Sequence, residues 1–284
     1  MEQRRIGTRQ VSAVGLGAMP MSVREHNDEE RAVATVRRAV EEGVTLIDTA
    51  DAYSPDEATF GHNEVLVARA LKEVGAGPDE VLVATKGGHT RRGTDWELDG
   101  RPEYLREACV ASLERLGVEQ IGLYQHHRPD PKVDYRETLE GLRALVDEGL
   151  VVAVGLSNAD PDQILLGVDV IGPSLVAVQN QFAPAFRSSR PEIDLCEELG
   201  LAFLAWSPLG GMSKAGDLGS QWSSFAEVAA KHGVSPQQVC LAWELSLSPA
   251  VVPIPGASRP ESVADSVRAV DLVLDEDDLA ALSA

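Results

Sequence analysis

Apolar residues in this chain fall into short, nearly continuous runs, separated by longer stretches with the spacing of amphipathic helices. The runs are rich in β-branched residues and apolar at successive positions, which is typical of parallel strands covered on both faces. The pattern predicts eight strands, at residues 12–16, 45–48, 81–85, 121–125, 151–156, 175–179, 202–205 and 250–254.

Capping residues mark the helices between the predicted strands. Asn27 or Asp28 is placed to begin a helix that Gly43 stops. Pro102 occupies a first helical position, and Gly117 ends that helix. Further helices are predicted to begin at Asp134, Pro161, Pro191, Pro236 and Pro260, with two short helices within 220–246.

Alternation of eight strands with helices, without a linker-like stretch, predicts one α/β domain over residues 1–284 with the fold of a (β/α)₈ TIM barrel. A doubly wound nucleotide-binding fold is the alternative. The segment Gly15-Leu16-Gly17-Ala18-Met19-Pro20 begins like its glycine fingerprint, but Pro20 stands at the third glycine position. We therefore prefer the barrel and interpret this segment as a turn at the barrel mouth.

Charge and composition narrow the functional classes. The chain has 284 residues and a formal net charge of −20, which argues against general nucleic-acid binding. No apolar run is long enough for a transmembrane helix, and the N-terminus lacks a secretory signal. The cysteines, Cys109, Cys196 and Cys240, are far apart, which fits a reducing compartment. We expect a cytoplasmic protein, monomeric or weakly homo-oligomeric, without a membrane or nucleic-acid partner.

Polar residues end nearly every predicted strand, and the active sites of (β/α)₈ enzymes lie at these carboxyl ends. The second strand ends in Asp48, with Tyr53 in the loop beyond it, and the third runs into Lys86. The fourth runs into His127, and the later ends carry Ser157-Asn158, Gln179, Trp206-Ser207 and the segment 255–259. Singly, such residues are also turn formers or packed aromatics. Their convergence on one face predicts a functional site.

The histidines do not predict a metal centre. His126 and His127 are adjacent, so on a strand they point to opposite faces and at most one faces the barrel mouth. No carboxylate with suitable spacing accompanies them, so we predict no metal site. The other histidines are predicted to be surface or loop residues, namely His26, His62, His89 and His232.

Asp48, Tyr53, Lys86 and His127 together fit the reduction of a carbonyl group beside a hydride donor. Hydride attack leaves negative charge on oxygen, which needs a proton. Ionising an unperturbed tyrosine at neutral pH costs about 4 kcal/mol, and a lysine cation about 4 Å away contributes a similar amount at an effective dielectric constant of about 20. We expect Lys86 to bring the pKa of Tyr53 into working range, Asp48 to keep Lys86 charged, and His127 to orient the carbonyl.

The ordered motifs of the whole chain resemble the aldo-keto reductase superfamily. They are Asp48-Thr49-Ala50-Asp51-Ala52-Tyr53, Thr85-Lys86-Gly87-Gly88, the segment 123–130, Gly155-Leu156-Ser157-Asn158, Gln179-Asn180 and Trp206-Ser207-Pro208-Leu209-Gly210. The resemblance implies NADPH-dependent reduction of aldehydes or ketones, with Tyr53 as general acid tuned by Lys86 and Asp48. In the family's motif the histidine comes three residues after a tyrosine, here Tyr124, and this spacing selects His127 over His126.

The resemblance also implies a cofactor site. Ser157, Asn158 and Gln179 would bind the nicotinamide carboxamide, and Trp206 would stack on the ring. The segment from Ser207 to Lys214, with Leu209 and Gly211, would pass near the pyrophosphate. Gly256 belongs to the same site, and Ser258 and Arg259 would meet the 2′-phosphate, which favours NADPH over NADH. Asp265, with Ser262 and Ser266 in place of frequent larger polar residues, would form a weakened adenosine site.

The substrate and the class of activity leave alternatives open. An open pocket for a small carbonyl compound is expected, with Met19, Trp96, Phe182 and Trp222 as candidate walls and ordinary loop packing as the other explanation. A cofactor-binding regulatory or redox-sensing subunit, resembling potassium-channel β subunits, is the main alternative to an enzyme. A metal- or phosphate-dependent lyase or isomerase would need clustered carboxylates at the strand ends, where Asp48 stands nearly alone.

Overall fold

A nearly closed barrel of parallel strands forms the centre of the molecule. The computed structural model describes residues 1–23, 27–211 and 214–283; His26 and the segment 212–213 lie outside the described residues. The barrel strands are Leu16–Gly17, Leu46–Asp48, Leu82–Gly87, Ile121–His126, Val151–Ser157, Leu175–Gln181, Ala202–Trp206 and Val251–Ile254. Each pairs with the next along the chain, and a bridge between Gly17 and Gly256 joins the first strand to the last. The predicted TIM barrel is confirmed.

The predicted first strand was wrong in its position. Only Leu16–Gly17 pairs with the second barrel strand, whereas Arg9–Ser12 pairs with Gln3–Ile6 in an antiparallel hairpin. Ile6 and Val11 of this hairpin belong to the apolar cluster inside the barrel. The hairpin therefore closes the amino end of the barrel, which explains why it carries apolar residues.

Helices surround the barrel and follow the predicted caps. They span Glu29–Glu41, His62–Val74, Pro102–Leu116, Tyr135–Asp147, Pro161–Ile171, Arg190–Leu199, Leu218–Gln221, Ser223–His232, Pro236–Ser246, Pro260–Val267 and Glu276–Ser283. The Asp28 side chain accepts from the backbone N–H of Arg31, and Gly117 ends its helix at a φ of +68°. Among the described residues, none of the helices is long and apolar enough to cross a membrane.

A second hairpin, absent from the predicted elements, stands at the carboxyl end of the barrel. It pairs His89–Arg92 with Asp95–Leu98 directly after the third barrel strand. The backbone N–H of Glu57 donates to the carbonyl of Gly93 over 2.9 Å. This mouth hairpin (residues 89–98) therefore rests on the loop that follows the second strand and carries Tyr53.

Candidate active site

The carboxyl ends of the strands surround a cavity of about 460 Å³. Most of the predicted site residues line it, from every part of the chain. They are Met19, Asp48, Tyr53, Trp96, His127, Ser157, Asn158, Gln179, Trp206, Ser207, Leu209, Gly211, Gly256, Ser258, Arg259 and Ser262. The barrel topology brings these positions together because parallel strands end at one rim.

Lys86 and Asp48 form a buried ion pair at the cavity wall, which Asp48 lines and Lys86 does not. The Lys86 side chain is fully buried, and its Nζ lies 2.7 Å from each carboxylate oxygen of Asp48. Nζ also donates to the Thr49 carbonyl over 2.8 Å. Burial alone would lower the pKa of Lys86, but the adjacent Asp48 charge and Tyr53 raise it above its ordinary value. Lys86 is therefore a cation whose three protons are directed by fixed acceptors.

Tyr53 connects this ion pair to the cavity. Nζ of Lys86 lies 3.2 Å from the Tyr53 hydroxyl, and the tyrosine is only 7% exposed. Because Tyr53 lines the cavity while Lys86 does not, the phenol is the member of the pair that can reach a bound molecule.

The pKa of Tyr53 departs from the sequence-based expectation. Burial raises it above 10, and this effect outweighs the lowering by the Lys86 cation. The nearby Asp48 and Asp51 charges also raise it, so Lys86 and Asp48 partly cancel at the phenol. Lys86 therefore does not lower the pKa of Tyr53 towards neutral pH. The phenol stays protonated beside a fixed cation.

His127 is a neutral imidazole beside the Tyr53 ring. The two ring centroids are 5.5 Å apart in an edge-to-face arrangement. Burial is the main cause that lowers the pKa of His127 well below 6.5, and the neighbouring His89, Lys86 and Arg128 add to it. A neutral histidine can orient a polar ligand by a hydrogen bond without carrying a charge of its own.

Two residues at the strand ends adopt the left-handed backbone region although neither is a glycine. Asn158 has a φ of +57° and Ser207 a φ of +53°. Asn158 is held there because its Nδ2 donates to the His127 carbonyl and to Ser157 Oγ, each over 3.0 Å. Such conformations cost about 1–3 kcal/mol and cluster at functional sites. Both residues line the cavity.

Gln179 contacts the ion pair and also lines the cavity. Its Nε2 donates to Oδ1 of Asp48 over 2.7 Å, which fixes the orientation of the amide because a carboxylate can only accept. Within the described part of the chain, its Oε1 has no hydrogen-bond partner and is not among the buried unpaired atoms. Gln179 thus presents an acceptor to the cavity.

The rim at the last strand offers donors and a positive charge. Ser258, Arg259 and Ser262 line the cavity, and no intramolecular hydrogen bond or ion pair of their side chains occurs within residues 1–23, 27–211 and 214–283. A Cβ at the neighbouring Gly17 would lie 2.9 Å from the Ile254 carbonyl oxygen, so only glycine fits this close approach. The donor set suits a phosphate group.

Three predicted cofactor residues do not line the cavity. Lys214 is exposed, and Ser266 is buried. The two carboxylate oxygens of Asp265 accept from Ser235 and Gln238, each over 2.6 Å. Asp265 therefore joins the helix Pro260–Val267 to the helix Pro236–Ser246, and both oxygens already have partners.

Two of the four candidate pocket walls lie elsewhere. Phe182 is buried and stacks on Trp243 with ring centroids 5.7 Å apart. Trp222 packs against the same apolar cluster, between barrel and helices. Both therefore pack in this apolar cluster, whereas Met19 and Trp96 line the cavity.

His89 and Arg128 line the cavity without having been predicted there. His89 was predicted to be a surface or loop residue; instead it lies on the mouth hairpin, and its ring centroid is 4.3 Å from that of His127 and 5.3 Å from that of Trp96. Burial lowers the pKa of His89 to about 4. The position of His89, three residues after Lys86 at the same strand end, was the available sequence signal.

Comparisons with known proteins agree with this geometry. The model of the aldo/keto reductase family matches residues 13–284. An uncharacterized oxidoreductase of Schizosaccharomyces pombe is 34% identical over 98% of this chain and 88% of its own length. A probable aldo-keto reductase of Glycine max is 34% identical over 97% of this chain and 86% of its own length.

A solved structure has the same fold. The aldo/keto reductase from Klebsiella pneumoniae in complex with NADP and acetate superposes with a TM-score of 0.83 at 26% identity, over 99% of this chain and 94% of that one. The family match over nearly the whole sequence, the two relatives and the shared fold lead to one conclusion: this chain is an oxidoreductase and belongs to the aldo/keto reductase family.

Proposed function

We propose that this protein reduces aldehydes or ketones to alcohols, with NADPH as the hydride donor. The observation that carries the proposal is the 3.2 Å contact between the buried Lys86 cation and the Tyr53 hydroxyl at the cavity wall. Protonated phenols beside a fixed cation are suited to giving a proton to a developing alkoxide. The NADP complex of the Klebsiella pneumoniae relative supports the choice of cofactor.

The residues around the later strand ends fit a nicotinamide nucleotide. Trp206 offers a flat surface at the cavity wall, and its Nε1 is buried without a partner among the described residues. The free Oε1 of Gln179 suits the amide protons of a carboxamide. Ser258 and Arg259 suit the 2′-phosphate, since guanidinium and hydroxyl donors are favoured for phosphate.

The chemistry divides among four side chains. Bound NADPH supplies the hydride to the carbonyl carbon. Tyr53 delivers its hydroxyl proton to the carbonyl oxygen. Lys86 stabilises the tyrosinate that remains, and Asp48 keeps Lys86 charged although it is fully buried. His127, being neutral, donates a hydrogen bond that orients the carbonyl oxygen.

Electrostatics favour reduction over the reverse reaction at neutral pH. The raised pKa of Tyr53 keeps the phenol protonated, which is the form that reduction needs. Alcohol oxidation needs the tyrosinate instead. General acid catalysis of this kind typically accelerates a reaction by about 10²- to 10⁴-fold.

The test is NADPH consumption by the purified protein over a panel of aldehydes and ketones, with NADH measured alongside. The proposal predicts turnover with several aldehydes and a lower KM for NADPH than for NADH. Tight cofactor retention with negligible turnover on the whole panel would contradict it and would favour a regulatory subunit.

A further inference from the structure

The cavity has two sides that differ in the strands that build them. Residues from the first four strand ends include Tyr53, His89, Trp96, His127 and Arg128. The last four strand ends contribute the residues proposed above to hold the cofactor. A substrate whose carbonyl group lies near Tyr53 would therefore place the rest of the molecule along the first side.

One side chain on the first side carries a positive charge without a carboxylate partner. Arg128 lines the cavity, and its side chain makes no ion pair or hydrogen bond within the described residues. Arg92 and Arg136 show the contrast, since they pair with Glu97 and Asp169. In a chain of net charge −20, an unpaired arginine at a cavity wall is a local attraction for an anion.

The electrostatic influence of Arg128 reaches the reacting end of the cavity. After burial, its positive charge is among the causes that lower the pKa of both His89 and His127. His89 is neutral at pH 7, and its Nδ1 lies 3.1 Å from the Glu97 carbonyl oxygen, so Nδ1 carries the proton. The two histidines therefore add no charge, and Arg128 is the cation nearest to them that lines the cavity.

The mouth hairpin adds an apolar side chain to the wall of the same cavity. Trp96 is 41% exposed and lines the cavity. Its ring is held from behind by the guanidinium of Arg91, 4.1 Å from the ring centroid, and Arg91 is 8% exposed. An indole and a free guanidinium on the wall of one cavity match a molecule with an apolar body and an anionic group.

We propose that Arg128 is a specificity-determining residue that binds the carboxylate of a carbonyl substrate, whose apolar body packs on Trp96. The preferred substrates are aldehydes or ketones that carry a carboxylate. A single guanidinium suits a carboxylate because it can donate two parallel hydrogen bonds to it. This inference rests on the proposed carbonyl reduction.

The test compares two substrates that differ in one charge, 4-carboxybenzaldehyde and methyl 4-formylbenzoate. The wild-type protein is expected to show the higher kcat/KM for the acid. Arg128→Gln should lower the acid-to-ester ratio of kcat/KM by about 10- to 100-fold, the size expected for a charge-assisted hydrogen bond. Arg92→Gln, which removes a positive charge from the mouth hairpin at a residue that does not line the cavity, is the matched control and should keep the ratio within about twofold of wild type.

Each other outcome has a distinct meaning. A wild-type protein that reduces both aldehydes, with a ratio that Arg128→Gln leaves unchanged, overturns the inference and leaves the proposed function standing. A raised KM for NADPH with equal losses for acid and ester would place Arg128 at the cofactor and also overturn it. If the protein reduced neither of these aldehydes nor any compound of the wider carbonyl panel, the proposed function itself would be overturned.

Discussion

The amide nitrogen of Gln179 lies 2.7 Å from Oδ1 of Asp48. This contact links a residue of the cavity wall to the carboxylate that holds Lys86 in its charged form. Gln125 approaches the same oxygen over 3.3 Å but is completely buried and does not line the cavity. Both glutamines therefore support the ion pair, but only Gln179 can also contact a bound molecule.

Gln179→Ala and Gln125→Ala are expected to differ in one measurement. Each removes a donor to Asp48, so each should lower the free energy of unfolding by about 1–3 kcal/mol in urea denaturation. Only Gln179→Ala should also raise the KM for NADPH, because only Gln179 faces the cavity. An equal rise in both variants would show that Gln179 acts through Asp48 alone.

Removing the Lys86 charge should destabilise the protein through Asp48. Lys86→Met leaves a buried carboxylate without its cation, which typically costs about 3–5 kcal/mol. The double variant Lys86→Met with Asp48→Asn should regain much of this stability in the same denaturation experiment, while its reductase activity stays low. A double variant no more stable than Lys86→Met would contradict the assignment of the loss to an unpaired charge.

The pKa directions predict the pH dependence of the rate. The pKa of Tyr53 lies above 10, so the proton donor persists through the alkaline range. The pKa of His127 lies well below 6.5, so this residue stays neutral through neutral and mildly acidic pH. For reduction, kcat/KM should therefore be nearly constant from about pH 6.5 to 9. Alcohol oxidation should instead rise with pH, because it needs the tyrosinate.

A steady-state profile of both directions checks this prediction. Over the pH range in which the protein stays folded, a fall in kcat/KM for reduction centred near pH 6 to 7 would indicate a protonating histidine at the site. Such a profile would contradict a neutral His127.

Arg259 is expected to determine the preference between the two nicotinamide cofactors. Because it lines the cavity without a carboxylate partner in the described part of the chain, Arg259→Gln should raise the KM for NADPH by about 10-fold or more and change that for NADH little. Arg268→Gln, nine residues further along and not on the cavity wall, is the matched control. Equal effects of Arg259→Gln on both cofactors would contradict a contact with the 2′-phosphate.

The barrel and the cluster around Tyr53 could be predicted from the sequence because both depend on local patterns. Strands buried on both faces are continuously apolar, and residues that follow them meet at one rim whatever their distance along the chain. The hydrophobic pattern could not place the first strand correctly, because Ala13 and Val14 are buried in a separate apolar cluster with Leu245 and are not part of the paired strand.

The mouth hairpin and the charges within the site needed the structure. The hairpin is short and mostly polar, so the alternation of apolar and polar residues is weak, although Gly93 with a φ of +59° marks its turn. For this reason the sequence predicted His89 to be a surface or loop residue. The pKa of Tyr53 depends on the balance of burial, Lys86 and Asp48, and this balance cannot be obtained from the residue types alone.

Tyr53→Phe tests the central claim most directly, because it removes one hydroxyl and keeps the ring beside His127. NADPH binding, measured by fluorescence titration, should keep a Kd within a few-fold of wild type. Aldehyde reduction at saturating NADPH should fall by about 10²- to 10⁴-fold, the usual contribution of a general acid. Undiminished turnover by a variant that still binds NADPH would contradict the role of Tyr53 as the proton donor.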